Sequence, residues 1–207
     1  MKIEIFSAGI LGTNCYFVIN EETKETVIVD PGGYNKKMKT YLEQEALKPV
    51  AVLLTHGHFD HMMGVPGLRE EYEMPVYIYD SEECIVDDPK KNLSATYTNG
   101  LTLDHLETVR DGQVLTLAGF RFRVIYTPGH TADGCCYYME QEKMLFSRDT
   151  LFLTSIGRSD LPTGSESTLI RSIKERLLVL PEEVKVFPGH MGATTIGDEK
   201  KQNPYIV

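Results

Sequence analysis

Apolar residues in this chain gather in short runs, and each run stops abruptly at a polar or turn-forming residue. Val50 to Leu54 is continuous, as suits a strand buried on both faces, and it ends at Thr55 and Gly57. Residues 14–33 (NCYFVINEETKETVIVDPGG) hold an apolar run, a charged turn and a second apolar run closed by Asp30, before a Pro-Gly-Gly break. Residues 134–152 (GCCYYMEQEKMLFSRDTLF) follow the same plan, with EQEK as the turn and Asp149 closing the second run. Both segments predict β-hairpins, being rich in Tyr, Phe, Val and Ile with charged tips. Their likeness is either an internal duplication or a plan that hairpins share, and it hints at a two-lobed sheet sandwich. Other segments have helical spacing. Met38, Tyr41, Leu42 and Ala46 mark one face of a helix from about Asn35 to Leu47. Leu169, Ile173, Leu177 and Leu180 mark a second, with Ser165 or Ser167 as N-cap and Pro181 just past its end. Strands interleaved with helices predict an α/β layered fold with sheet in the middle and helices outside.

Composition narrows the function. The 207 residues, 42% hydrophobic and 25% charged, supply one sizeable core, and no linker divides them, so a single domain over residues 1–207 is expected. A formal charge of -9 argues against a nucleic-acid partner, which is held largely by Lys and Arg on phosphates. No stretch approaches the roughly 20 apolar residues that span a bilayer, and the start lacks a signal-peptide run. A soluble, cytoplasmic protein acting on a small molecule, with no membrane partner, is the expectation. Cys15, Cys84, Cys135 and Cys136 read as free packing thiols, since the adjacent pair lacks C-x-x-C spacing.

The chemistry begins where the Val50 to Leu54 run ends. His56, His58, Asp60 and His61 place four metal-ligating side chains within six positions, and three of the chain's six histidines lie there. Imidazole with carboxylate and no thiolate suits zinc, iron or manganese at a reactive rather than a closed structural site. His130 and His190 each follow an apolar run broken by Pro-Gly, and Asp149 also follows a strand-like run, so all are presented at strand ends. By analogy with open α/β sheets, whose ligands bind beyond the strand ends, these segments are expected to converge. His105 has no such setting and reads as a surface residue. Seven ligands exceed one tetrahedral ion and suit two divalent ions, with zinc in first place and iron or manganese as alternatives. His56, His58 and His130 are assigned to one ion, Asp60, His61 and His190 to the other, and Asp149 bridges ions expected about 3.5 to 4 Å apart. Asp30, Thr55 and Thr131 are candidates to orient the imidazoles, with a plain turn role as the other reading of Asp30. Arg158 is the candidate cation for an anionic substrate, or else a surface ion pair. Residues 81–109 read as a lid or a surface excursion.

These residues resemble the metallo-β-lactamase superfamily, and within it the glyoxalase II-like (hydroxyacylglutathione hydrolase-like) branch. The resemblance covers nearly the whole chain: VDPGG at 29–33, THGHFDH at 55–61, TPGHT at 127–131, LFSRDTLF at 145–152, GRSDLP at 157–162 and VFPGH at 186–190. It implies a four-layer αββα sandwich and a dinuclear centre hydrolysing thioesters or related esters by a metal-bridging hydroxide, with Asp60 orienting the nucleophile. The alternatives are a mononuclear iron persulfide dioxygenase and a metal-binding module without turnover. Two positions depart from the family pattern. Arg148 stands where Gly usually precedes the bridging Asp, and Met191 where Gly commonly follows PGH. A cation beside metals is expected to turn toward solvent or substrate.

Overall fold

In the computed structural model of the protein, which describes residues 1–206, β1 (Lys2–Ala8), β2 (Thr13–Ile19) and β3 (Glu25–Val29) form an antiparallel meander. The hairpin expected over residues 14–33 is its β2–β3 half. Helix α1 (Lys36–Gln44) then carries the chain to β4 (Lys48–Leu53), which lies parallel to β3. After two short helices, α2 (Phe59–Met62) and α3 (Val65–Glu71), β5 (Val76–Tyr79) adds parallel to β4. The sheet order is β1-β2-β3-β4-β5-β6, the edge being β6 (Glu107–Val109). Cys15, Phe17, Ile19, Ile28 and Val52 meet Met38 and Leu42 of α1 and Val65 and Leu68 of α3. Tyr16, Val18, Val27, Val29, Ala51 and Leu53, which alternate with them, are buried too. Burial on both faces is why these strands read as continuous apolar runs.

Residues 81–109 are partly buried, with Glu83, Cys84, Tyr97 and Asp104 among those at the surface. Helices α4 (Glu83–Val86) and α5 (Ser94–Tyr97) fold inward, and Glu82, Ile85, Val86, Asn92, Ser94 and Leu103 are buried.

The second sheet runs β14-β13-β10-β9-β8-β7. Its members are β7 (Val114–Leu117), β8 (Phe120–Tyr126), β9 (Cys135–Met139), β10 (Met144–Phe146), β13 (Lys185–Phe187) and β14 (Thr194–Thr195). The hairpin expected over residues 134–152 is β9–β10, followed by a small ribbon of β11 (Leu151–Phe152) and β12 (Ser155–Ile156). Helix α6 (Glu166–Ser172), prolonged by a wider π turn over Ile173–Leu177, links β10 to the parallel β13. Its Leu169, Ile173 and Leu177, with Leu180 beyond, pack on Ile125, Cys136, Tyr138, Leu145 and Val186. The chain thus divides into two compact units, Met1–Thr108 with Thr116–Phe120, and Val109–Leu115 with residues from Arg121 onward. Each holds one of the two similar hairpins and its own sheet-and-helix core.

Helix ends follow local chemistry. Asn35 caps α1 by accepting from the Met38 N–H, and Ser165 rather than Ser167 caps α6. Helix α1 stops short of the expected Leu47. Ala46 turns left-handed (φ 51°) while its N–H reaches Glu43 O and the Leu47 N–H reaches Leu42 O, a Schellman ending without its usual glycine. Three cysteines are buried as expected, but Cys84 is exposed.

At the C-terminal end, the fully buried carboxylate of Glu199 in α7 (Ile196–Gln202) accepts from the Thr154 N–H, the Thr194 hydroxyl and Asn203 Nδ2. These bonds tie α7 to the β11–β12 ribbon. The Thr194 bond is 2.6 Å, and losing a donor to a buried anion costs about 1 to 3 kcal/mol. Thr194→Val is therefore expected to lower the unfolding free energy by that amount without changing the denaturant m-value, as measured by urea titration.

Candidate metal centre

In the first unit the candidate ligands start at His56, three residues past the end of β4. The Leu54 N–H still bonds to Tyr77 O, but the next, that of Thr55, is taken by the Asp30 carboxylate at 2.9 Å. Asp30 reaches it from a left-handed backbone (φ 52°), a conformation that Asp tolerates better than most residues. Asp30 thus closes the strand end by holding Thr55, the residue before His56. The Thr55 hydroxyl lies 3.3 Å from His56 Nδ1. When that nitrogen carries the proton, His56 Nε2 bears its lone pair on the side facing His58 Nδ1, 3.0 Å away. The His56 and His61 rings are 4.2 Å apart between centroids. Asp60 Oδ2 lies 3.0 Å from His61 Nε2 and accepts from the Thr13 hydroxyl at 3.0 Å. His56, His58, Asp60, His61 and Thr13 are all buried.

The second unit presents the other three. His130 Nδ1 is 2.7 Å from the carbonyl oxygen of Arg158. A carbonyl can only accept, so Nδ1 holds the proton and Nε2 is left with the lone pair. That Nε2 lies 3.6 Å from Asp149 Oδ2, and His190 Nε2 lies 3.8 Å from the same oxygen. Both distances exceed a hydrogen bond. They match two donors of a shared ion, which at Zn–N distances near 2.0 to 2.1 Å sit roughly 3.3 Å apart. Together these three side chains would offer a divalent ion two imidazole nitrogens and a carboxylate oxygen. The donor set of each unit, imidazole and carboxylate, therefore fits divalent zinc, iron or manganese.

Close backbone approaches pack against the main chain of both Asp60 and Asp149. A side chain at Gly32 would strike the Asp60 carbonyl, and one at Gly157 the Asp149 carbonyl, which accounts for the glycines of VDPGG and GRSDLP. Ser165 N–H bonds to Gly129 O and the Ser172 hydroxyl to Pro128 O, so α6 fixes the Pro-Gly turn before His130. Thr131 is buried, and its carbonyl accepts from the Gly129 N–H. Arg158 is exposed, and its guanidinium forks onto Asp160 at 2.8 and 2.9 Å, the ion-pair alternative. His105 is a surface residue, its side chain 90% exposed. Thr13 carries no signal in the sequence, because a lone Thr far from the candidate ligands has no telling spacing.

The family described as the Metallo-beta-lactamase superfamily matches residues 8–190. The chain belongs to that superfamily. Relatives within it include "Probable metallo-hydrolase YqgX" of Bacillus subtilis (strain 168), 36% identical with 100% of this chain and 98% of the relative covered. "Hydroxyacylglutathione hydrolase GloC" of Haemophilus influenzae is 32% identical, with 100% and 98% covered. Among solved structures, the BLEG-1 B3 metallo-beta-lactamase superposes with a TM-score of 0.91 at 40% identity over the full length of both chains. TTHA1623 in a di-iron-bound form superposes with a TM-score of 0.86 at 33% identity over 98% of this chain and 99% of that one. The metallo-β-lactamase fold expected from the motifs is thus the fold of this chain, of α/β class with mixed sheets. Membership carries a coarse activity, that of a metal-dependent hydrolase.

Both departures from the superfamily's glycines fall on left-handed backbone, Arg148 at φ 49° and Met191 at φ 68°. Glycine is usual there because it alone takes this conformation without a Cβ penalty. Arg148 does not turn to solvent; it is 1% exposed, the bulkiest of the fully buried side chains. Arg148→Gly and Arg148→Ala vacate nearly the same space, but only glycine relieves the backbone. The glycine variant is expected to be the more stable of the two by about 1 kcal/mol in chemical denaturation.

Proposed function

We propose that His56, His58, Asp60, His61, His130, Asp149 and His190 together hold two divalent metal ions, and that the protein hydrolyses thioesters or related esters of small molecules. The observation that carries this reading is the paired approach of His130 and His190 to a single oxygen of Asp149. It is supported by a relative bearing the name hydroxyacylglutathione hydrolase. Zinc is the first choice of metal, and a similar chain in a di-iron-bound form keeps iron beside it. A metal pair, when bound, supplies activated water at neutral pH and a Lewis acid for the carbonyl.

The chain's residues do the rest. Thr13 holds Asp60 Oδ2, so the carboxylate keeps a fixed direction toward the attacking water. Asp30 holds Thr55 against His56 Nδ1, and the Arg158 carbonyl sets the tautomer of His130. The Arg158 guanidinium, exposed and on the same residue as that carbonyl, is the cation that would meet an anionic substrate once it lets go of Asp160. A thioester suits the site because a thiolate leaves without a dedicated acid, its pKa being well below that of an alkoxide.

The reading is tested by metal analysis after chelator-free purification, paired with hydrolysis of a panel of acyl thioesters. About two metals per chain and turnover that a chelator abolishes are expected. Metal content well below one per chain, or no hydrolysis with zinc, iron or manganese restored, defeats it. A single iron with oxygen uptake on a persulfide would instead assign the dioxygenase reaction. Asp60→Ala is expected to lower kcat at least ~100-fold while metal remains bound, the outcome that excludes a module without turnover.

A further inference from the structure

The segment after β5 carries a buried acid that none of the roles above uses. Glu82 is fully buried, and its Oε2 accepts from the Gly57 N–H at 2.6 Å. Gly57 stands between His56 and His58 and lies against the side chains of Ile85 and Val86. Two residues on, the Phe59 N–H bonds to Asn92 O at 2.9 Å, and the Phe59 ring stacks on Tyr97 with centroids 4.9 Å apart. Asn92 is itself locked, its Nδ2 donating to Val86 O and Leu101 O and its Oδ1 accepting from the Ser94 N–H. Residues 82–97 therefore grip the ligand turn at Gly57 and Phe59, both between ligands in sequence.

We infer that Glu82 is a positioning residue for the metal-ligand turn, setting the approach of His56 and His58 through the peptide between them. The inference rests on the metal reading above and deepens it. What the Glu82 side chain adds is an oxygen held at a fixed reach, 2.6 Å from the Gly57 nitrogen. That bond is made at the N–H of the residue between two imidazoles whose facing nitrogens are 3.0 Å apart, where a small rotation of the peptide spreads or closes the pair. Groups that orient ligands in this way typically contribute 10–100-fold to metal affinity.

The test compares wild type with Glu82→Ala, Glu82→Asp and Glu82→Gln, each checked for native near-UV dichroism. Zinc affinity is measured by competition with a chromophoric chelator, and the visible absorption spectrum is recorded after cobalt(II) loading. Glu82→Ala is expected to weaken zinc binding at least ~10-fold and to shift the cobalt bands, because the turn loses its acceptor. Glu82→Asp keeps the charge but withdraws the oxygen from Gly57, and is expected to weaken binding as well. Glu82→Gln keeps an oxygen at the right reach and is expected to recover most of the affinity and the wild-type spectrum. Wild-type affinity and spectrum in Glu82→Ala overturn the inference. Should that variant not fold, Glu82→Asp binding as tightly as Glu82→Gln overturns it. A wild type that binds neither zinc nor cobalt would fail the metal reading itself, before any variant is compared.

Discussion

The first ligand group depends on how one buried strand is allowed to end. Strands β3 and β4 lie side by side and are buried on both faces, so any unpaired peptide at their ends would be costly. The Asp30 carboxylate takes the Thr55 N–H where the ladder stops, and thereby releases the chain from the sheet at a fixed point. His56, His58, Asp60 and His61 follow within the next six residues, so the position of all four is inherited from that bond. The burial that makes the strand also supplies the low-dielectric surroundings in which imidazole and carboxylate bind a cation strongly.

Neither ligand group is left to its own rotamers. In the first unit, hydroxyls of Thr13 and Thr55 and the acid of Glu82 hold a carboxylate, an imidazole and the intervening peptide. In the second, a carbonyl of the GRSDLP segment holds His130, and α6 braces the turn before it. The small residues of the motifs have a matching role, because Gly32 and Gly157 let backbone pass directly over the carbonyls of Asp60 and Asp149. Such bracing is what a site needs if donors are to meet a metal at fixed distances. It is accompanied by local strain. Asp30, Arg148 and Met191 all hold left-handed backbone beside or near the ligands, and neither Arg148 nor Met191 has the glycine that makes this conformation easy.

The sequence by itself determined the hairpins, the faces of α1 and α6, the superfamily and all seven ligand candidates. Each leaves a local mark: an apolar run that stops, a period of three to four residues, or His and Asp crowded after a strand. Other features are visible only in the tertiary structure, because they join residues distant in the chain. Thr13 reaches Asp60, Glu82 reaches Gly57, and Arg158 lends its carbonyl to His130 while its side chain turns to Asp160. Residues 81–109 looked irregular and polar, yet Glu82 and Asn92 are buried because their polar atoms find backbone partners that composition cannot reveal. The burial of Arg148 and the left-handed turn at Ala46 were equally illegible, since in both places a conformation that normally selects glycine is imposed on another residue by the packing around it.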